Sequence, residues 1–362
     1  MRLGVLTGGG DCPGLNAVLR ALVRRGTSEF AHEFVGLRNG YEGLMEPDMV
    51  EPLTIESVRG ILPKGGTILG TSNKANPFLW PVEEHGKIVE RDCSHLAVRR
   101  YKELELDGLV AIGGDGTLTV AHHLAKKGLN VVGCPKTIDN DLSGTELTFG
   151  FDSAVSFVAE AIDRLHSTAE AHERVMIVEI MGRNAGFLTL DSGIAGGADV
   201  ILIPEIPYSL DVLVEKIKGR WNYKKRPFSI IAISEGAYPK GGHQAVQEAA
   251  HVVPGRGVVR LGGSGRVLAE ALSGRIEAEI RVTVLGHLQR GGSPSAADRV
   301  LATMYGAKVL DLVRDGQWDH MVCLQEGKLS QVSLSALRKE RQVDPQGEKV
   351  RLAKAIGICF GD

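Results

Sequence analysis

Residues 133–145 read GCPKTIDNDLSGT, and Lys136, Thr137, Asp139 and Asp141 fall within six consecutive positions of it. The cluster follows the apolar run NVVGC (130–134). Pro135 cannot pair through its own nitrogen and keeps Cys134 extended, so the polar side chains project from the strand end. Moving a phosphoryl group onto a hydroxyl needs a group to accept the proton and charge to hold the phosphates. Asp139 and Asp141 offer one carboxylate for the hydroxyl and one for a metal ion or for the loop. Thr137 adds a hydroxyl, and Lys136 a cation near the transferred group. The alternative is an Asx-rich turn with no ligand.

Two glycine loops strengthen the phosphate reading. TGGGDCPGLNAVLR (7–20) follows an apolar run and opens an amphipathic one. Glycines admit a phosphate close to the backbone, and a helix N-terminus presents unpaired N–H groups. Asp11 and Asn16 are placed to cap or pin the loop. A tight strand-to-helix turn without a ligand explains this stretch equally well by itself, and no Lys-Ser/Thr pair completes a P-loop. GGDGTL (113–118) repeats the arrangement with a carboxylate inside it. Asp115 is a hard oxygen ligand able to hold Mg²⁺ against phosphates; its alternative role is helix N-cap. A third glycine-rich patch, KGGTILGTSNK (64–74), carries Lys64 and Lys74 at its ends.

These loops need strands and helices to aim them. Apolar runs rich in β-branched residues occur at 2–9, 33–40, 107–114, 130–135, 175–181, 199–205, 228–236 and 279–287. Amphipathic stretches at 15–26, 117–128, 154–172, 209–221, 265–274 and 296–313 alternate with them. The alternation predicts βαβ units and parallel sheets buried on both faces, in two doubly wound, mostly parallel α/β domains. In such sheets ligands bind off the C-terminal strand ends, where the loops above fall. Residues 72–92 lack clear periodicity, hold two prolines and read as a surface excursion. HMVCLQEGKLSQVSL (320–334) predicts a hairpin turning at Glu326-Gly327-Lys328, and 338–362 carries no pattern that assigns it a role.

Composition excludes other classes. Of 362 residues, 43% are apolar and 24% charged, and 42 basic against 44 acidic side chains leave a formal charge of −2. That balance gives no electrostatic reason to expect nucleic acid or an anionic membrane as partner. No apolar run reaches the length of a spanning helix, and the N-terminus lacks the apolar core of a signal peptide. Five dispersed cysteines without a CxxC pair predict free thiols and a cytoplasmic protein.

TGGGDCPGLNA, GGDGT, PKTIDND, HERVMIVEIMGRNAG (172–186), SEG (234–236) and VTVLGHLQRGGSPSAADR (282–299) occur in this order. Together they resemble the phosphofructokinase family, in the branch holding both ATP-using and pyrophosphate-using enzymes, over roughly residues 1–310. The resemblance implies Mg²⁺-dependent phosphoryl transfer to the 1-hydroxyl of fructose 6-phosphate. It implies Asp139 as general base, with Thr137 and Asn140-Asp141 around it, Arg183 as a further catalytic residue and Thr137 and Ile138 as substrate contacts. Asp115 would bind Mg²⁺ and the donor, and Gly10, Gly114, Gly116, Thr117, Asn73 and Lys74 would line the donor site. Met181, Gly182, Arg183 and Glu235 would contact the sugar phosphate, and His287, Leu288, Gln289 and Arg290 would grip its 6-phosphate. Arg174 and Arg281 would reach the sugar phosphate of a neighbouring subunit, so a complete site needs a homodimer or homotetramer. Donor binding is expected in 1–150 plus about 288–340, and sugar-phosphate binding in about 151–287 plus 341–362.

The resemblance carries two opposed donor signals. Pyrophosphate users tend to have aspartate after the GGD aspartate, which obstructs the α-phosphate of ATP; here Gly116 leaves that space. Lys136 stands where pyrophosphate users carry lysine, favouring a compact, highly charged donor. Blocking outweighs one added cation, so ATP is the expected donor, with pyrophosphate the alternative. Asn73 replaces a basic residue common in the ATP pocket. Arg20 and Arg24 fit an effector-binding helix, but Lys64 and His166 replace arginines found in regulated relatives, which predicts weak or absent nucleotide activation. The lipid and NAD kinase superfamily shares GGDGT but none of the other motifs. A non-catalytic nucleotide or sugar-phosphate sensor has no use for Asp139.

Overall fold

The apolar runs form strands and the amphipathic ones helices in the computed structural model, which describes residues 1–223, 228–247, 260–337 and 340–362. The strands run β1 (Arg2–Thr7), β2 (Glu33–Leu37), β3 (Val50–Leu53), β4 (Trp80–Glu84), β5 (Lys87–Arg91), β6 (Gly108–Gly113) and β7 (Val131–Pro135). They continue as β8 (Val175–Ile180), β9 (Val200–Leu202), β10 (Ser229–Ser234), β11 (Val246–Gln247), β12 (Arg260–Leu261), β13 (Ile280–Val284), β14 (His320–Gln325) and β15 (Lys328–Ser333). The helices are α1 (Leu15–Phe30), α2 (Ser94–Glu103), α3 (Asp115–Lys126), α4 (Phe151–His172) and α5 (Phe187–Ala195). They are followed by α6 (Leu210–Tyr223), α7 (Ser264–Leu272), α8 (Ala296–Arg314) and α9 (Glu348–Ala355).

The chain divides into two units. The first comprises Met1–Ile138, Leu142–Ser153 and Arg290–Lys339; the second comprises Asp139–Asp141, Ala154–Gln289 and Glu340–Asp362. The first unit holds a sheet of order β15-β14-β7-β6-β1-β2-β3. Its inner pairs are parallel, and only the edge pairs β2–β3 and β14–β15 are antiparallel. From β1 the chain goes to β2 on one side and later to β6 on the other, so a topological switch point lies between β1 and β6. β1 and β6 are almost wholly buried, as expected for parallel strands covered on both faces. Helix α1 enters through Gly14, whose φ of 109° is a left-handed conformation that other residues resist. Along α1 runs α8, brought close at Gly306, where a Cβ would stand 2.7 Å from the Val18 carbonyl oxygen.

The second unit holds a parallel sheet of order β13-β8-β10-β9. Its core joins Val175, Ile177, Val200, Leu202, Ile231 and Ile233 to Leu213, Ile217, Leu268 and Leu272 of the helices.

The doubly wound, parallel architecture is the expected one, and the structure adds to it. Residues 72–92 contain an antiparallel hairpin, β4–β5, from Trp80↔Arg91 to Glu84↔Lys87. Its turn places His85 (φ 53°) and Gly86 (φ 74°) in the left-handed region, a type I′-like pair without the Asn-Gly signature. The hairpin at Glu326-Gly327 turns the same way, with φ of 50° and 70°. Helices α2, α5 and α9 lie outside the amphipathic stretches that the sequence displays. In α5 the reason is compositional: LTLDSGIA is small and apolar on most sides, so it shows no polar stripe.

Candidate active site

In the first unit three glycine-rich loops meet at the switch point. The Gly8 amide donates to the Ile112 carbonyl (2.9 Å), joining the loop after β1 to the end of β6. The Gly9 amide donates to the Ser72 carbonyl (3.1 Å), and the Thr71 hydroxyl donates to the Gly9 carbonyl (2.5 Å). Asn16 pins the third patch to α1: its Nδ2 donates to the Lys64 and Gly65 carbonyls, and its Oδ1 accepts from the Ile68 amide. The patch at 64–74, weak as a sequence signal, is thus part of the same construction.

The expected donor residues surround the middle of the first loop. A Cβ at Gly9 would lie 3.3 Å from Lys136 Nζ, 3.6 Å from Thr117 Oγ1 and 4.0 Å from Asn73 Oδ1. Lys136 is 3% exposed and its ammonium donates to the Gly10 carbonyl. Thr117 is buried, and Tyr41 donates its phenol proton to the Thr117 carbonyl (2.7 Å), which holds the first turn of α3. Asn73 and Lys74 are exposed beside them.

Asp115 is the first helical residue of α3, and Gly114 takes the N-cap position without a side-chain cap. The alternative reading of Asp115 as N-cap is therefore not met. Asp115 and Gly116 are both exposed, and a Cβ at Gly116 would find nothing within 4 Å. Among the described residues no group of three or more His, Cys, Asp or Glu side chains is arranged to hold a metal ion.

Arg290 ends the 3-10 turn Gly286–Arg290 and belongs to the first unit. It donates from Nη1 to the Asp11 carbonyl (3.2 Å) and lies against Gly10, where a Cβ would stand 2.4 Å from Nη1. The absence of a side chain at Gly10 lets this guanidinium lie against the loop. Cys12, beneath the loop, is wholly buried, and that burial raises its thiol to about 12; burial also raises Cys134. Neither is a nucleophile at neutral pH.

In the second unit Asp139–Asp141 turn sharply at Asn140, which is 5% exposed and has a φ of 51°. Asparagine is among the few side chains that adopt this conformation readily, and it sets the flanking aspartates on either side of a fixed bend. The Met181–Arg183 turn follows β8 and the Glu235 turn follows β10, its neighbour. Gly182 has a φ of 134°, and its carbonyl accepts from the Ser234 hydroxyl and the Gly236 amide. The Met181 amide donates to Gln289 Oε1 (3.2 Å), and Gln244 Nε2 donates to the Arg183 carbonyl (3.0 Å). Met181, Gly182, Arg183, Glu235 and Gln289 therefore share one end of this sheet. The parts that Ser234 and Gln244 play are visible only in the folded turn.

Residues 279–287 do not form one strand. β13 ends at Val284 and Gly286–Arg290 form a 3-10 turn, in which His287 and Leu288 are exposed and Gln289 buried. His287 is thus not a core histidine.

The arginines of the second unit, Arg174, Arg183 and Arg281, do not share one end of its sheet. Arg174 precedes β8, and Arg281 pairs with Met176 near the start of β13. Both lie at the N-terminal strand ends, where each forms an ion pair with Glu279. Arg183 lies past the C-terminal end of β8, about 13 Å or more away at the ordinary rise per residue of a parallel strand. Parallel pairing is the cause, since it puts both strand starts at one end of the sheet.

Two doubly wound sheets, one carrying a ring of glycine loops at its switch point, define a phosphate-handling α/β protein. A model of the family described as phosphofructokinase matches residues 2–313. Over its full length the chain is 50% identical to an ATP-dependent 6-phosphofructokinase 2 of Clostridium perfringens, covering 98% of that protein. It is 46% identical to a pyrophosphate–fructose 6-phosphate 1-phosphotransferase of Streptomyces coelicolor, with both chains fully covered. Among solved structures, Pichia pastoris phosphofructokinase in the T-state superposes with a TM-score of 0.79 at 32% identity, over 92% of this chain and 35% of that longer one. The chain belongs to the phosphofructokinase family.

Proposed function

We propose that this protein transfers the γ-phosphoryl group of ATP to the 1-hydroxyl of fructose 6-phosphate, giving fructose 1,6-bisphosphate. The observation that carries ATP as donor is the open space at Gly116, beside Asp115 at the N-terminus of α3. A donor with an α-phosphate and a nucleoside needs that room, and the helix terminus favours its negative charge. The relative in Clostridium perfringens, at 50% identity, carries the matching name.

In this reading the donor phosphates lie against Gly10, Gly114, Gly116 and Thr117, with Asn73 and Lys74 on the nucleoside side. Lys136, held at the first glycine loop, supplies positive charge where it develops in transfer. Mg²⁺ fits here with Asp115 as its one protein carboxylate, because this ion usually keeps waters and substrate phosphates as its other ligands. When bound, it neutralises charge on the phosphates. Asp139 accepts the proton of the sugar 1-hydroxyl, and Thr137, Ile138 and Arg183 stand with it.

Met181, Gly182, Arg183 and Glu235 hold the sugar phosphate, with His287, Leu288, Gln289 and Arg290 at its 6-phosphate. Arg174 and Arg281 serve the site of a neighbouring subunit, which accounts for their place at the far strand ends. The first unit is read as donor-binding and the second as sugar-phosphate-binding, in a cytoplasmic homo-oligomer. None of the described helices is long and apolar enough to cross a membrane.

A second reading, pyrophosphate as donor, is favoured by the buried Lys136 and by the name of the 46%-identical relative. Initial rates with ATP and with pyrophosphate at equal free Mg²⁺ separate the two. Turnover with pyrophosphate alone overturns the ATP reading.

A further inference from the structure

The segment after residue 339 lies across the turns of the second unit's sheet. The Arg341 amide donates to the Asp141 carbonyl (2.6 Å), and the Arg341 guanidinium stands 5.1 Å over the Phe187 ring. One residue on, Gln342 Nε2 donates to the Asn184 carbonyl (3.3 Å); one residue back, Glu340 accepts from Asn184 Nδ2 (2.8 Å). Beneath these surface contacts sits Glu205, just past β9. Its Oε1 accepts both the Gly186 amide (2.9 Å) and the Val343 amide (2.8 Å). Its Oε2 is buried without a hydrogen-bond partner among the described residues; a Cβ at Gly186 would stand 2.4 Å from the Ile203 Cβ and 2.8 Å from this oxygen.

One carboxylate oxygen thus ties the terminal segment to the turn that follows Arg183, and the segment's backbone in turn holds the bend containing Asp139. We propose that Glu205 is a positioning residue, whose carboxylate clamps residues 340–343 onto the Met181–Gly186 turn and thereby sets the placement of Asp139–Asp141 and Arg183. The proposal rests on the reading of Asp139 and Arg183 as base and sugar-phosphate contact. It gives the terminal segment a task that the family's motifs, all before residue 310, leave unassigned.

Burial raises the Glu205 pKa, and the two amides that Oε1 accepts oppose that rise. A neutral group of the same shape should therefore do the same work. In Glu205→Gln the amide oxygen keeps both bonds, whereas Glu205→Ala leaves two buried N–H groups unpaired.

The test measures kcat and KM for both substrates, with melting temperature, for the full-length wild type, E205A, E205Q and E340A. E205A is expected to raise KM for fructose 6-phosphate about tenfold and lower kcat about tenfold, since small misplacements at a reacting centre cost one to two orders of magnitude. KM for the donor should stay within about twofold, and E205Q should return both values to within about threefold of wild type. E340A cuts an exposed contact of the same segment, so it should raise the sugar-phosphate KM about threefold with an unchanged melting temperature. If E205A does not fold, E340A decides alone. Wild-type constants in E340A, or losses in E205A that merely follow the folded fraction, overturn the proposal while leaving the activity in place. A wild type inactive toward fructose 6-phosphate with either donor removes both readings.

Discussion

Gly116→Asp probes the donor directly, because the position is exposed and a Cβ there meets nothing within 4 Å. The fold should not suffer. Replacing this helical glycine by aspartate, itself a weak helix former, recovers about 0.3 kcal/mol of propensity. An acid in the first turn of a helix adds roughly 0.3–1 kcal/mol. The cost falls on the donor: two unit charges about 4 Å apart interact by about 4 kcal/mol at an effective dielectric of 20 and about 1 kcal/mol in water. An exposed helix start lies between these limits, so about 2 kcal/mol is a reasonable central value, or roughly thirtyfold in kcat/KM. Pyrophosphate, which lacks an α-phosphate and nucleoside, should change by less than about threefold. The assay couples fructose 1,6-bisphosphate formation to NADH oxidation with each donor in turn, alongside thermal unfolding. Wild-type ATP turnover in a folded G116D protein, or equal losses with both donors, would refute the placement of the α-phosphate at Gly116.

Asp139→Ala should lower kcat by roughly 10²–10⁴-fold while fructose 6-phosphate affinity, read by calorimetry, changes little; unchanged turnover removes Asp139 as the base. If Arg281 serves a neighbouring subunit, mixing and reassociating inactive Arg281→Ala and Asp139→Ala chains should restore about a quarter of wild-type activity, because half the random dimers are mixed and each carries one intact site. No recovery would place Arg281 outside a shared site. Cys12, raised by burial from 9.0 to about 12, is held as a neutral thiol. Its contribution to stability is complete below pH 9 and is lost as pH climbs toward 12. The urea midpoint should therefore fall between pH 8 and pH 10.5, and iodoacetamide at pH 8 should label Cys12 only after unfolding. Rapid labelling of the native chain would contradict the burial.

Local chemistry determined much of this protein before any fold was at hand. Apolar runs long enough for one strand, several of them ending in glycine and alternating with amphipathic stretches, specify βαβ units, because periodicity and turn residues act within a few positions. The same locality made PKTIDND, GGDGT and TGGGD readable as strand-end loops. It failed where the signal is weak at short range: α5 has no polar stripe, and the β4–β5 turn uses His85-Gly86. Only tertiary structure could join Thr71 and Ser72 to Gly9, because strand order, not spacing, makes those loops neighbours. Parallel pairing sent Arg174 and Arg281 to the strand ends opposite Arg183, although all three are arginines beside the same two strands. Glu205 and Val343 stand 138 positions apart, and no sequence pattern links a carboxylate to a backbone amide at that separation; packing alone brings them to 2.8 Å.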